Sequence, residues 1–527
     1  MGSNGFPIRT SKTDSPRIAR QKKGDQTPQS QETGPVIISE KGDIVIVVEH
    51  AGKSSSQNSH SRTEKGSLAA TNGSSETTAT SQHTGSSLFG GLTSSSTEPS
   101  LGPSQRSENQ SHECHYRVET RRLKEASPYF ARLLDPDKFG EGSAVAEQHK
   151  QLAPSQWEDV PLEKLPQVRI ADVGRISTVK SIRPLMADFF NILHGNEPSG
   201  PNPPPIANIA NLAIVADRFD ALSALQHYTK KYKLFTLLDA KPSSKTPTSS
   251  EERIRQRLLL GLLLDNTSWV WTASTRLIHR GWVGHNPDLA DHAPLWWDLP
   301  SSVEHELLFR RACILETFES LQSHFLALYT SRDRQCKLGY DSSPECDLYQ
   351  LGQMVRFFRR VGTLALSGTL LPKEHDNDGD GDDDDGYEGE IADLLESLRQ
   401  CPAYQIDKNH AHCGLRTRLV PLLDLLEVAL QDVGLCLQCW NECRQDCAWS
   451  RVKRPLMWRV GSGGGGLHQA SKRTQAQSHL VKHLDTRELF MAAQRLWTTD
   501  GEGGMDGMQK FPRRFASHKW LDHRQGL

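Results

Sequence analysis

Cys336, Cys346, His410, His412 and Cys413 are the residues whose types point most directly to chemistry. Thiolate and imidazole are the ligands zinc prefers, and four of them close a structural site. Their spacings are long and no Cys-x-x-Cys pair stands among them, so buried free cysteines and a structural histidine account for the same residues. Cys436, Cys439, Cys443 and Cys447 do contain such a pair. Read as one helix, they fall on a single stripe, at offsets of 3, 4 and 4. Successive turns rise by about 5.4 Å, so the outer pair cannot share one tetrahedral ion, and a packing seam is expected instead.

Asp376, Asp378, Asp380 and Gly381 match the first ligand positions of a calcium loop, but its last position falls on Tyr387, which carries no carboxylate. The acidic tract reads as solvated charge. Trp269, Trp271, Trp282, Trp296 and Trp297 are expected in the core and between helices. There is no His-Glu-x-x-His, no phosphate-binding glycine loop with Lys-Ser/Thr and no Gly-x-Ser-x-Gly. The residues therefore suggest no catalytic site and no cofactor other than a structural zinc.

These residues sit in a chain of 527, long enough for two or three folded regions with linkers. Hydrophobic content is 36% and formal net charge −2, so no overall basic field exists to hold nucleic acid or membrane. The most apolar run, Leu258–Leu264, stops at Asp265, well short of the roughly 20 residues that span a bilayer. Ten cysteines in such a length make no disulfide framework, and no apolar segment follows Met1. An intracellular location, cytoplasmic or nuclear, is expected. Arg17, Arg20, Lys22 and Lys23 form a loose basic cluster that fits either solvated charge or a nuclear import signal.

In chain order, residues 1–34 read as a polar tail. Ile44 to Val48 are five β-branched apolar residues in a row, the pattern of a strand buried on both faces. Residues 51–111 are rich in Ser, Thr and Gly, a low-complexity insertion that lacks the apolar surface to order itself. Tyr116 and Val118 alternate with polar residues as in a half-exposed strand. Leu123, Ala126, Phe130, Leu133 and Leu134 are spaced along one helical face. A third strand is expected at Val168–Ala171 and a helix from Val179 to Leu193 closed by Gly195. A helical pair broken around Asp217–Asp220 follows. Val45, Val47, Phe130, Leu133, Phe190 and Leu193 are the expected core.

This order of elements resembles a BTB/POZ domain, specifically those of filamentous fungal proteins. The resemblance rests on Gly42–Val48, Ser127–Leu134, Asn191-Ile192-Leu193-His194-Gly195 and Leu212–Asp220. It covers residues 35–240, with the 51–111 insertion between two strands that are a tight hairpin in the family. Lengthening that loop costs only about 0.6 kcal/mol per doubling, so the pairing should persist. Glu119-Thr120-Arg121-Arg122 stands where family members carry a His-Arg or His-Lys pair.

After a linker at 241–250, residues 251–455 read as a helical extension, with an acidic low-complexity loop at 374–390. Helices are expected from Glu251 to about Phe358, at Ile391–Leu398 and at Thr417–Leu437. Residues 456–527 hold a glycine-rich linker, a helix around His479–Trp497 and a tail. Such an extension also follows the BTB domain in the fungal proteins. The fold class expected is α+β followed by a mainly α-helical region. The resemblance implies a non-enzymatic interaction protein, a homo-oligomer with protein partners, some members recruiting a cullin-type ubiquitin ligase. A nuclear regulator acting through BTB oligomerisation is the alternative. No direct nucleic-acid contact is expected, for no DNA-reading helix or finger array is present.

Overall fold

The computed structural model describes residues 34–51, 111–152, 156–177, 182–198, 201, 203–240, 250–284, 293–336, 343–364, 387–410, 413–458, 475–495 and 497. The strands are β1 (Val36–Ile37), β2 (Ile44–Ala51), β3 (Ser111–Val118) and, after helices α1 (Thr120–Ala126), α2 (Pro128–Leu133) and α3 (Gly140–Leu152), β4 (Gln167–Ile170). There follow α4 (Ile182–His194), α5 (Ile206–Arg218), α6 (Leu222–Lys231) and α7 (Leu234–Ala240). The helical half is α8 (Glu251–Leu263), α9 (Thr267–Arg280), α10 (Val303–Thr330), α11 (Ser343–Val361), α12 (Ile391–Arg399) and α13 (Leu415–Leu430), closed by α14 (Leu437–Glu442), α15 (Arg444–Cys447) and α16 (Gln475–Met491).

The four strands form one mixed sheet in the order β1-β3-β2-β4. β2 and β3 pair antiparallel from Ile44 opposite Val118 to Ala51 opposite Ser111, so the two strands do meet across the long insertion. β4 joins β2 in parallel, and β1 joins β3 in parallel. The apolar run of β2 is buried on both faces. Ile44, Ile46 and Val48 enter the main core, while Val45 and Val47 pack with Val160 and Leu165 beneath the segment around Trp157. β3 is less exposed than its alternation suggests, because Arg117 is buried on the second face and donates to the Gly42 and Trp157 carbonyls.

The expected helix through Leu123–Leu134 is two helices. Pro128 drives Ser127 into extended backbone and starts α2 without needing an N–H of its own. Buried Ser127 caps α2 by accepting from the Phe130 N–H and donates to the Phe219 carbonyl at the end of α5. Phe130 stacks on Phe219 at 5.5 Å, and Phe189, Phe190 and Tyr116 complete the cluster. At the end of α4, His194 accepts from the Glu119 N–H at 3.0 Å, and Gly195 takes the left-handed cap (φ 78°). The four stretches that carry the family resemblance thus converge in one core. Of the expected core residues, Phe130, Phe190 and Leu193 lie in it, Val45 and Val47 are buried on the other face of the sheet, and Leu133 is half-buried.

The apolar core continues without interruption into the helical half, chiefly where α5 meets α8. Buried arginines complete that half. Arg255 reaches Glu251 and Glu304, Arg310 reaches Glu306, and Arg311 donates to the carbonyls of Ile278, Tyr387 and Gly389. Trp269 and Trp296 are core residues and Trp271, Trp282 and Trp297 are half-buried, all as packing elements. The expected helix Thr417–Leu437 stops at Leu430. The turn at Gly434 passes so close to α9 that a Cβ there would collide with the Thr275 hydroxyl and approach the Trp271 carbonyl at 2.8 Å. Among the described residues no helix is long and apolar enough to cross a membrane.

Candidate metal centre

Three separate segments bring four of the five sequence-derived candidates together. Cys336 lies just beyond α10, Cys346 in the first turn of α11, and His410 and Cys413 in the approach to α13. One ligand atom from each of the four lies within 4.8 Å of all the others. Cys336 Sγ is 3.4 Å from His410 Nδ1 and 3.7 Å from Cys413 Sγ, and Cys413 Sγ is 4.0 Å from His410 Nδ1. Zinc bond lengths imply edges of about 3.5–3.8 Å for a tetrahedron of thiolates and one imidazole. The Cys336 and Cys413 sulfurs are therefore at a metal-sharing separation, well beyond the roughly 2.05 Å of a disulfide. His412 lies outside the described residues.

Neighbouring groups hold each ligand in place. The Asp347 carboxylate, one residue after Cys346, accepts from the backbone N–H groups of Gln335 and Cys336 at 2.8 and 2.9 Å. Arg418 of α13 donates to the Gln335 carbonyl and side chain, tying the segment before Cys336 to the helix behind Cys413. The Tyr329 hydroxyl donates to the Cys413 carbonyl at 2.8 Å. Asp407 caps the turn that presents His410, accepting from the Asn409 and His410 N–H groups. Gly414 follows, where a Cβ would meet the Tyr404 carbonyl at 2.7 Å.

The electrostatics match such a donor set. Burial pushes the Cys346 thiol up, and the neighbouring Cys413 and Cys336 push it further. Cys413 is raised by burial and by Cys336. A dication at this point would favour the thiolates by binding them directly. Cys336, Cys346, His410 and Cys413 would supply four protein ligands to one ion, the number that closes a structural zinc site.

The sequence-based reading of the other cysteines is overturned. Cys436, Cys439, Cys443 and Cys447 do not lie on one helix. Cys436 is an extended cap residue, α14 runs only to Glu442, and Cys443 (φ −131°, ψ 34°) interrupts the chain before α15. Cys and Asn are weak helix formers, and tertiary bonds at both ends of the segment set its path. Cys436 and Cys439 instead meet His483 of α16, a histidine that sequence reasoning missed. The Cys-x-x-Cys pair was its only local signal.

The acidic residues 376–385 and the basic cluster Arg17–Lys23 lie outside the described residues. Comparison with known proteins finds no matching family model, no matching curated protein and no matching solved structure.

Proposed function

We propose that the chain is a non-enzymatic interaction protein of BTB/POZ type. Residues 35–240 serve self-association or partner docking, with a cullin-type ubiquitin ligase among the partners the resemblance implies. The helical half is a rigid platform for a further protein, fastened by a structural zinc at Cys336, Cys346, His410 and Cys413. The observation that carries this reading is the convergence of the four resemblance-bearing stretches on one aromatic core, joined by the Ser127–Phe219 hydrogen bond. The order of three strands, three helices, a fourth strand and then helices contains the expected succession, with β1 and α3 added to it.

Sedimentation velocity and affinity purification with mass spectrometry on the full-length chain test the reading. A species of twice 58.8 kDa, or a cullin retained with further proteins, is the expected result. A monomer at micromolar concentration that retains no protein would overturn it. For the metal, loss of one zinc equivalent in Cys346→Ser is expected. An unchanged zinc content in that variant would remove the clamp.

A further inference from the structure

We propose that Cys436, Cys439, Cys447 and His483 form a second structural zinc site, which fastens the C-terminal helix α16 to the body of the helical half. Cys436 sits in extended backbone (φ −83°, ψ 113°) as the cap of α14, and Cys439 lies in the helix's first turn. Two sulfurs three residues apart can thereby face one point. Both sulfurs and a ring nitrogen of His483 lie within 4.8 Å of one another. Cys447, carried by the short helix α15, shares a hydrogen bond with Cys439 and lines the same cavity as the other three. Its sulfur stands outside the 4.8 Å group formed by the other three, and closing on the ion would make it the fourth ligand.

The surroundings are arranged to hold this geometry. Arg310, itself buried, donates to the Val433 and Gly434 carbonyls at 2.9 and 2.7 Å, and the Leu435 N–H donates to Ser274 Oγ at 2.7 Å. These bonds fix the backbone that enters Cys436. On the far side of Cys447, Glu306 accepts from the Trp449 and Ser450 N–H groups at 2.8 and 3.1 Å. Because Glu306 and Arg310 are paired on α10, one ion pair anchors both ends of the cysteine segment. Trp271 packs against the His483 ring at 5.2 Å between centroids, which orients the imidazole.

The donor chemistry selects the ion. Three sulfurs and one imidazole in a small cavity suit zinc better than hard cations.

This site stands independently of the interaction reading and of the first metal centre. The full-length protein, purified without chelator, should contain two zinc equivalents by elemental analysis. Cys439→Ser and Cys346→Ser should each remove one, and the pair both. A measurement on the wild type avoids any variant that fails to fold: alkylation of thiols mapped by peptide mass spectrometry. Cys436, Cys439 and Cys447 should be protected as purified and become labelled after chelation. Zinc content unchanged by Cys439→Ser, with Cys346→Ser still losing one equivalent, would overturn the second site alone. A chelator-insensitive Cys436–Cys439 disulfide in the isolated protein would overturn it in favour of thiol–disulfide chemistry.

Discussion

Around the sheet, the interior is closed by branched aliphatics and rings: Ile44, Ile46 and Val48 against Tyr116, Phe130, Phe190 and Phe219. In the helical half the same continuous core is supplemented by Arg255, Arg310 and Arg311 and by two clusters of thiols with histidines. The difference follows from geometry. A sheet saturates its backbone bonds by pairing and leaves its faces free for apolar packing. Helices joined by irregular turns leave carbonyls at their ends, and buried arginines such as Arg310 and Arg311 satisfy several of them. The first region should therefore respond to lost volume, the second to lost charge or metal.

The largest effect is expected at Glu306, which is wholly buried and holds both Arg310 and the turn at Trp449. Glu306→Ala strands a buried guanidinium, and urea unfolding should show a loss of about 3–5 kcal/mol. A loss below about 1 kcal/mol would mean that the carbonyl partners of Arg310 suffice, and would erase the contrast. In the sheet, Ile46→Val should cost about 0.5–1.5 kcal/mol for one methylene. That cost should be the same before and after chelation, whereas chelation alone should lower the wild-type midpoint. If the Ile46→Val cost changed on chelation, the two regions would not be separable in this way.

The smallest expected effect is in pH. Burial lowers the pKa of His194, whose Nε2 accepts from the Glu119 N–H and so cannot carry a proton without losing that bond. A depressed base contributes stability that is fully present above its unfolded value, about 6.5, and is lost as pH falls toward the folded one. His279, beside the Leu430 carbonyl, is shifted in the same direction by burial. Stability should therefore decline below about pH 6.5, and His194→Gln should remove part of that slope. An identical pH profile in the variant would show that His194 carries none of it.

The strands of the sheet unit were legible because five β-branched residues in a row admit few alternatives, and Pro128 and Gly195 mark element ends by their own covalent limits. The pairing of β1 with β3 and the helix α3 had no comparable signal, since both are short or weakly apolar. For Cys336, Cys346, His410 and Cys413 the residue types were recognisable, but not their meeting, which joins residues as far apart as 336 and 413. For Cys436 to Cys447, regular spacing predicted one helix. The buried Glu306–Arg310 pair, invisible in local sequence, dictated a broken one.

By itself the sequence determined which residues must be buried, where proline and glycine end the elements, and which side chains have zinc's preferred chemistry. These are properties of single residues and short periods. Only the tertiary structure decided which sulfurs and imidazoles share a point in space. That depends on turns held by hydrogen bonds from residues more than a hundred positions away, such as Arg310 on Gly434 and Glu306 on Trp449.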